Sequence, residues 1–241
     1  MVDITKCAAL FDGWEETLIW SCLQGVMGRL TANRAGTAAR IQTGDFCFFA
    51  GAPDEGLVGT ARGPILVPRT EDWSRAIETV FGGRAVRGER YAVLKEPDVF
   101  DREKLRAFAA GLPAGYELRL MDREMVPALL AEDWSRDFCS NFDGPDDFAR
   151  RGLGAAALHG GVPVAGAASY TVYRGGIEIE IDTRRDHRGR GLATACGARL
   201  ILECLDRGLY PSWDAMDLRS VHLAEKLGYH RGRPYPVYCL S

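Results

Sequence analysis

Residues 177–205 constrain what this chain can fold into more than any other stretch. Ile177, Ile179 and Ile181 alternate with Glu178, Glu180 and Asp182 up to Thr183, the two-residue period of a strand with one apolar and one acidic face. The turn Asp186-His187-Arg188-Gly189-Arg190-Gly191 follows. Beyond it Leu192, Cys196, Leu200 and Cys204 recur every four residues, with Ile201 and Leu205 beside them. That spacing marks the sheet-facing side of a helix that opens directly from the glycines. A strand feeding a helix in this way predicts α/β layering, with the helix packed on the sheet.

The same turn is the strongest candidate for chemistry. The first backbone N–H groups of a helix have no intrahelical partner, and the helix dipole adds partial positive charge at that end. Gly189 and Gly191 let the backbone approach a ligand with no Cβ in the way, and Arg188 and Arg190 can add charge around it. The pattern predicts an anion cradle that suits a pyrophosphate. A turn using its glycines for geometry alone is the competing reading. Thr194 stands where a dinucleotide fingerprint needs a small third residue, and no phosphate loop ending in Gly-Lys-Ser/Thr occurs. Ala193 and Gly197 are small enough to bring the helix close to the strands.

Elsewhere the chain reads as alternating strands and helices. Leu10, Trp14, Leu18, Cys22, Val26 and Leu30 predict one amphipathic helix over 10–30, and 45–50 a strand. Residues 51–63 read as a surface loop, 65–67 as a strand, 73–81 as a helix, 90–95 as a strand, and 101–110 as a helix capped by Asp101. Gly111-Leu112-Pro113-Ala114-Gly115 is the clearest punctuation, which predicts an N-terminal α/β domain over 1–112 and a second domain over 113–241. The first could be a reduced copy of the second, and would wall an acceptor cleft. In the second half, 116–121 reads as a strand, 124–132 and 146–151 as helices, and 154–158, 164–172 and 177–183 as hairpin-linked strands. The helix 191–207, a strand near 212–216, a helix 218–227 and a strand 235–240 complete it. The fold class expected is α/β, with a mixed, largely antiparallel sheet flanked by helices.

Composition removes several function classes. The net charge of −3 argues against a module that tracks nucleic-acid backbones. No apolar run long enough to span a membrane occurs, and Met1–Lys6 lacks the pattern of a signal peptide. Seven cysteines with no C-x-x-C pair read as reduced thiols of a cytoplasmic protein. The four histidines have no metal-ligand spacing, so no metal is expected.

The loop Arg188-Gly189-Arg190-Gly191-Leu192-Ala193, followed by Ser220-Val221-His222-Leu223-Ala224-Glu225-Lys226-Leu227-Gly228-Tyr229, resembles the GNAT superfamily of N-acetyltransferases. Its terminal helix commonly reads Asn-x-x-Ser and then Leu-Ala-Glu-Lys-Leu-Gly-Phe/Tyr. Phe11–Thr17, Trp134–Phe138, Ile177–Thr183 and Pro211–Asp214 are further similar to a subgroup with an extra N-terminal half that includes zwittermicin-type self-resistance acetyltransferases. The resemblance implies the acyl-CoA N-acyltransferase fold and acetyl transfer from acetyl-CoA to a primary amine of a small molecule. It further implies that the amides of Arg188, Gly189, Arg190, Gly191, Leu192 and Ala193 hold the pyrophosphate. The backbone of Ile181, Asp182 and Thr183 would pair with the pantetheine arm like an added strand. Three positions depart from the family pattern: Asp186 opens the loop in place of Gln or Arg, Asp217 replaces the cofactor-contacting Asn, and Ala224 replaces the tyrosine that protonates the leaving thiolate.

Attack on a thioester needs a neutral amine, so a base must take the ammonium proton. Glu178 or Glu180 is the candidate base, and the carboxylate row suits a cationic acceptor; a plain solvated strand face is the competing reading. Trp213 and Asp214 are either a packing tryptophan with a turn aspartate or part of the acceptor site. A coenzyme A-binding module without activity is the alternative function. The final strand could pair across a homodimer.

Overall fold

The computed structural model describes the backbone from Ile4 and the side chains from Lys6 to Ser241; the first residues of the stretch read above for a leader lie outside the described residues. The chain folds into two compact units, residues 1–90 with 234–241 and residues 91–233.

The first unit contains α1 (Ile4–Ala9), α2 (Thr17–Leu23), β1 (Arg29–Ala32), β2 (Ala38–Thr43), β3 (Phe46–Gly51), α3 (Glu55–Gly59), β4 (Ile65–Pro68), α4 (Glu71–Phe81) and most of β5 (Ala85–Val93). β1, β2 and β3 run antiparallel, β3 pairs parallel with β4, and β4 pairs with the C-terminal strand. Phe46, Cys47, Phe48 and Phe49 are all buried, as expected of a strand covered on both faces. Thr43 Oγ1 donates to Leu18 O of α2 at 3.1 Å, and Phe49 packs against Trp73 of α4.

Two expectations fail here. The single helix over 10–30 is only α2, because Gly13 and Gly25 adopt φ of +72° and +71° and the chain turns at both. Of the residues at four-residue spacing only Leu18 is fully buried, and the separate segments on either side of α2 bury Phe11 and Met27 instead. The loop 51–63 contains helix α3, whose N-cap Asp54 accepts from Leu57 N at 3.0 Å.

The second unit holds α5 (Arg102–Ala110), β6 (Tyr116–Leu120), α6 (Val126–Leu130), α7 (Pro145–Arg151), β7 (Gly154–His159), β8 (Val162–Tyr173), β9 (Gly176–Thr183), α8 (Leu192–Asp206), β10 (Tyr210–Ser212), β11 (Asp214–Ala215) and α9 (Leu218–Leu227). The final strand β12 (Arg231–Leu240) begins in this unit. The Gly111–Gly115 punctuation lies inside the second unit, because α5 packs on α8 and stays with the residues that follow it.

The sheet of this unit has the order β10-β9-β8-β7-β6, antiparallel except for the β9–β10 pair. Parallel neighbours need a crossover, and α8 supplies it. Gly197 lets α8 pack close to both α9 and the sheet: a Cβ there would lie 2.8 Å from Leu227 Cδ1 and 3.3 Å from Ile181 Cδ1. The isoleucine face of β9 is therefore the α8 face, as the alternation requires. The architecture is the expected mixed, largely antiparallel α/β fold. No helix of the described residues is long and apolar enough to cross a membrane.

Candidate functional site

β9 and β10 run in parallel register only through Gly176–Glu178 and Tyr210–Ser212. Trp213 then turns the chain away, and Asp214 and Ala215 pair with Ala92 and Tyr91 of β5 instead. From Ile179 onward β9 has β8 on one side and no strand of the described residues on the other. The sheet thus forks just beyond Glu178 and Ser212, and beyond that point β9 runs on as an edge strand. Ile181 and Asp182 lie on this edge. The Thr183 amide is already engaged by Asp182 Oδ1 at 2.6 Å.

The turn after β9 is built as an anion cradle requires. Gly189 and Gly191 have φ of +77° and +78°, and a Cβ at either would meet nothing within 4 Å. Their glycines therefore answer to backbone conformation, and the space in front of them is open for a ligand. Gly191 caps α8, so the amides of Leu192 and Ala193 open at the same point. These features fit the pyrophosphate of a coenzyme A.

The arginines are placed differently from the expectation. Arg188 folds back onto β9, with Nε donating to Thr183 O at 2.9 Å and Nη2 to Asp182 Oδ1 at 3.1 Å. It locks the strand to the turn. Arg190 donates from Nη1 to Tyr116 Oη at 2.7 Å and from Nη2 to Asp186 O at 3.2 Å. Asp186, the acid that departs from the family pattern, is held in a forked contact by Arg184, 2.8 Å from Nε and 3.0 Å from Nη2. That pairing holds its carboxyl below the usual range.

Sequence reasoning missed the residues beneath the loop. His187 is buried, with Nε2 2.8 Å from Arg184 Nη2 and Nδ1 2.7 Å from Tyr116 Oη. A guanidinium only donates, so Nε2 accepts, the ring proton sits on Nδ1, and Tyr116 Oη receives N–H groups from both His187 and Arg190. Burial, opposed by the charge of Asp186 and aided by Arg184, Arg190 and His159, pushes the His187 pKa down and so favours the neutral ring. Tyr116 lies 71 residues away on β6. No local spacing could have joined them.

The acidic face of β9 is not uniformly solvated. Glu178 is buried at 4 % exposure, with Thr171 and Ser212 opposite it on the two neighbouring strands. Tyr173 leans across Gly176, where a Cβ would sit 2.3 Å from Tyr173 Oη, and reaches Ser212 Oγ at 2.9 Å. Burial, opposed by the Ser212 hydrogen bond and reinforced by the charge of Glu178, raises the Tyr173 pKa to about 12, so it stays protonated. Glu180 and Asp182 are half-buried one and two steps further along the fork. Gly166, opposite Asp182, carries Phe138 against it, so the short turn around Arg136–Phe138 roofs this face.

The remaining candidates are mostly occupied. Trp213 is buried, edge-on to Tyr229 at 5.6 Å, and donates from Nε1 to Ser220 Oγ at 3.0 Å. Asp214 is half-buried on β11. Asp217 caps α9 by accepting from Ser220 N at 2.9 Å, and its other oxygen takes Arg219 at 2.7 and 2.9 Å. It acts as a helix cap in this structure. Ala224 is buried at 1 % exposure, and Tyr229 Oη donates to Pro211 O at 2.5 Å, which ties α9 to the base of the fork. No group of His, Cys, Asp and Glu side chains among the described residues could hold a metal ion.

Comparison with known proteins places this geometry. A GCN5-related N-acetyltransferase-like protein from Streptococcus suis 89/1591 superposes with a TM-score of 0.94 at 42 % identity, covering 99 % of both chains. A putative GNAT-family acetyltransferase from Novosphingobium aromaticivorans shares the fold with a TM-score of 0.54 at 18 % identity, covering 87 % of this chain and 91 % of its own. The N-acetyltransferase YdfB of Bacillus subtilis, described as uncharacterized, is 26 % identical over 196 residues, 80 % of this chain and 72 % of its own length. The model of the GNAT acetyltransferase family matches residues 8–238, and the chain belongs to that family.

Proposed function

We propose that the protein transfers an acetyl group from acetyl-CoA to a primary amine of a small cationic molecule, as a member of the subgroup that includes the zwittermicin-resistance-type enzymes. The observation that carries this reading is the fork between β9 and β10, which ends at an open glycine cradle on the N-terminus of α8. The pyrophosphate would rest on the amides of Arg188–Ala193, and the pantetheine arm along Ile181 and Asp182 at the strand edge. Its thioester would then lie toward the base of the fork, near Glu178 and Glu180.

The carboxylates divide the work by burial. Glu180 stands beyond the fork and is half-buried, so an ammonium can reach it and surrender a proton directly or through water. Glu178, buried behind it, supplies negative potential that attracts a cationic acceptor. The neutral amine attacks the carbonyl carbon, and the C–S bond breaks as the tetrahedral adduct collapses to the amide. The proton still on the attacking nitrogen is lost to water in that step, and with Ala224 at the usual acid position the thiolate takes a proton from water or departs as the anion.

The second reading, a coenzyme A-binding module without transfer, rests on Ala224. Calorimetry with acetyl-CoA, CoA and NADH, followed by an acetylation assay on polyamines and amino sugars, separates the two. Acetyl-CoA and CoA binding with acetylated product supports the enzyme. Binding with no product from any amine supports the second reading, and binding of neither CoA nor acetyl-CoA removes both.

A further inference from the structure

The first unit carries a basic cleft that the proposed acetyl transfer does not use. Arg29 pairs across β1 and β2 with Gln42, and Thr31 with Arg40, so these four side chains share one sheet face at its β1 edge. Phe49 and Cys47 continue that face, opposite Arg40 and Gln42 on β3. Arg29, Thr31, Arg40 and Gln42 line, with Gly28 and Gly44, a cleft of about 310 Å³. Gly28 cannot be replaced without movement: its φ is +91°, and a Cβ would lie 2.2 Å from Thr43 Oγ1 and 2.8 Å from Gln42 O.

Arg40 is the anomaly. It is 7 % exposed, and its guanidinium donates from Nη1 to Leu57 O at 2.8 Å and to Thr60 Oγ1 at 3.2 Å. Both acceptors are neutral, and Nε has no partner among the described residues. A buried charge ordinarily has an opposite charge beside it. Here the neighbours are Arg29 and Arg62, which with burial push the Arg40 pKa down. The thiol of Cys47 does not supply the missing charge, because burial raises its own pKa. Two arginines thus line this cleft, with Arg62 a further positive neighbour of Arg40, and neutral carbonyl and hydroxyl contacts orient the buried one.

We propose that this cleft binds the phosphate or carboxylate group of a small molecule, with Arg40 as its buried anchor and Arg29 as its exposed partner. An oxyanion there supplies the charge that Arg40 lacks, and the amide of Gln42 and the hydroxyl of Thr31 can hydrogen-bond its oxygens.

The test is a titration of the isotope-labelled protein with inorganic phosphate and, separately, acetate, followed by amide chemical shifts, with sodium chloride at matched ionic strength as control. The proposal predicts saturable shifts at Gly28–Thr31 and Gln42–Gly44 with at least one of the two anions. Such shifts are distinct from any at Gly189–Leu192, so binding in the coenzyme cradle is not mistaken for binding here. Loss of one charge-assisted contact in Arg29→Gln should raise Kd about tenfold. Arg29 is exposed, so that variant folds even where Arg40→Gln does not. Shifts matched by chloride, shifts unchanged by Arg29→Gln, or none up to tens of millimolar of either anion would overturn the proposal.

Discussion

Helix α8 is bracketed by two glycines that allow its proposed role at one end to be separated from its stability. Gly191 caps its N-terminus with φ +78°, and Gly208 follows its C-terminus with φ +68°; a Cβ at either meets nothing within 4 Å. Alanine at either site therefore costs backbone strain and no clash. Forcing an L-residue to positive φ costs about 1–2 kcal/mol, offset by about 0.4–1 kcal/mol from the stiffer unfolded chain. Each variant should thus lose about 1 kcal/mol, read as a lower urea midpoint with an unchanged slope. Binding should differ sharply. At Gly191 the methyl group intrudes on the cradle and pushes the pyrophosphate off the helix amides. Losing two charge-assisted hydrogen bonds at about 1.5 kcal/mol each raises Kd for CoA about 100-fold. Gly208→Ala, at the far end of the helix, should bind CoA like the wild type. Calorimetric titration of the three proteins decides the matter. Equal affinity in Gly191→Ala and Gly208→Ala would refute the placement of the pyrophosphate at this helix end, whatever the stabilities.

Other expectations test the neighbouring groups. Glu180→Gln should lower kcat by about 10²-fold or more and flatten the acidic limb of the pH–rate profile, while CoA affinity holds; Glu178→Gln should mainly raise KM for a cationic acceptor, and an unchanged profile in both would move the base elsewhere. Tyr116→Phe leaves the Nδ1–H of His187 and Arg190 Nη1 without their shared acceptor, which should cost about 1–3 kcal/mol and is measured by urea unfolding. The lowered pKa of His187 means that the unfolded chain binds its proton more readily. The stability held by neutral His187 is therefore complete above about pH 6.5 and falls as pH drops below it, and His187→Gln should remove that part of the slope. Asp147 on α7 accepts from Arg151, Asp143 N and Arg150, which against the cost of burial holds its carboxyl well below the usual carboxylate range. Its contribution is present above about pH 4 and is lost as pH falls further, and Asp147→Asn should cost about 2–3 kcal/mol at pH 7 in thermal unfolding.

Local pattern was enough for the elements that answer to local forces. The period of two at 177–183, the period of four at 192–204 and the glycines between them are consequences of which face each side chain must bury, so β9, the turn and α8 could be read in order. The cap at Asp101 was legible for the same reason, since its oxygen meets amides two and three residues on. The spacing over 10–30 misled because apolar residues at helical intervals look alike whether one helix or several turned segments bury them. Only the backbone at Gly13 and Gly25 distinguishes the cases.

What the tertiary structure alone decided lies in contacts between distant residues. That Glu178 is fully buried while Glu180 is only half-buried depends on β10 arriving in parallel for three residues and then leaving at Trp213. That Asp186 does not oppose an anion depends on Arg184, and the loop is fixed by a tyrosine on another strand. Arg40 was an ordinary strand residue in the sequence; its missing counter-charge exists only because α3 and two strands close over it. Periodicity reports which way a side chain points. It carries no record of what it meets, because that is set by chain segments the period does not connect.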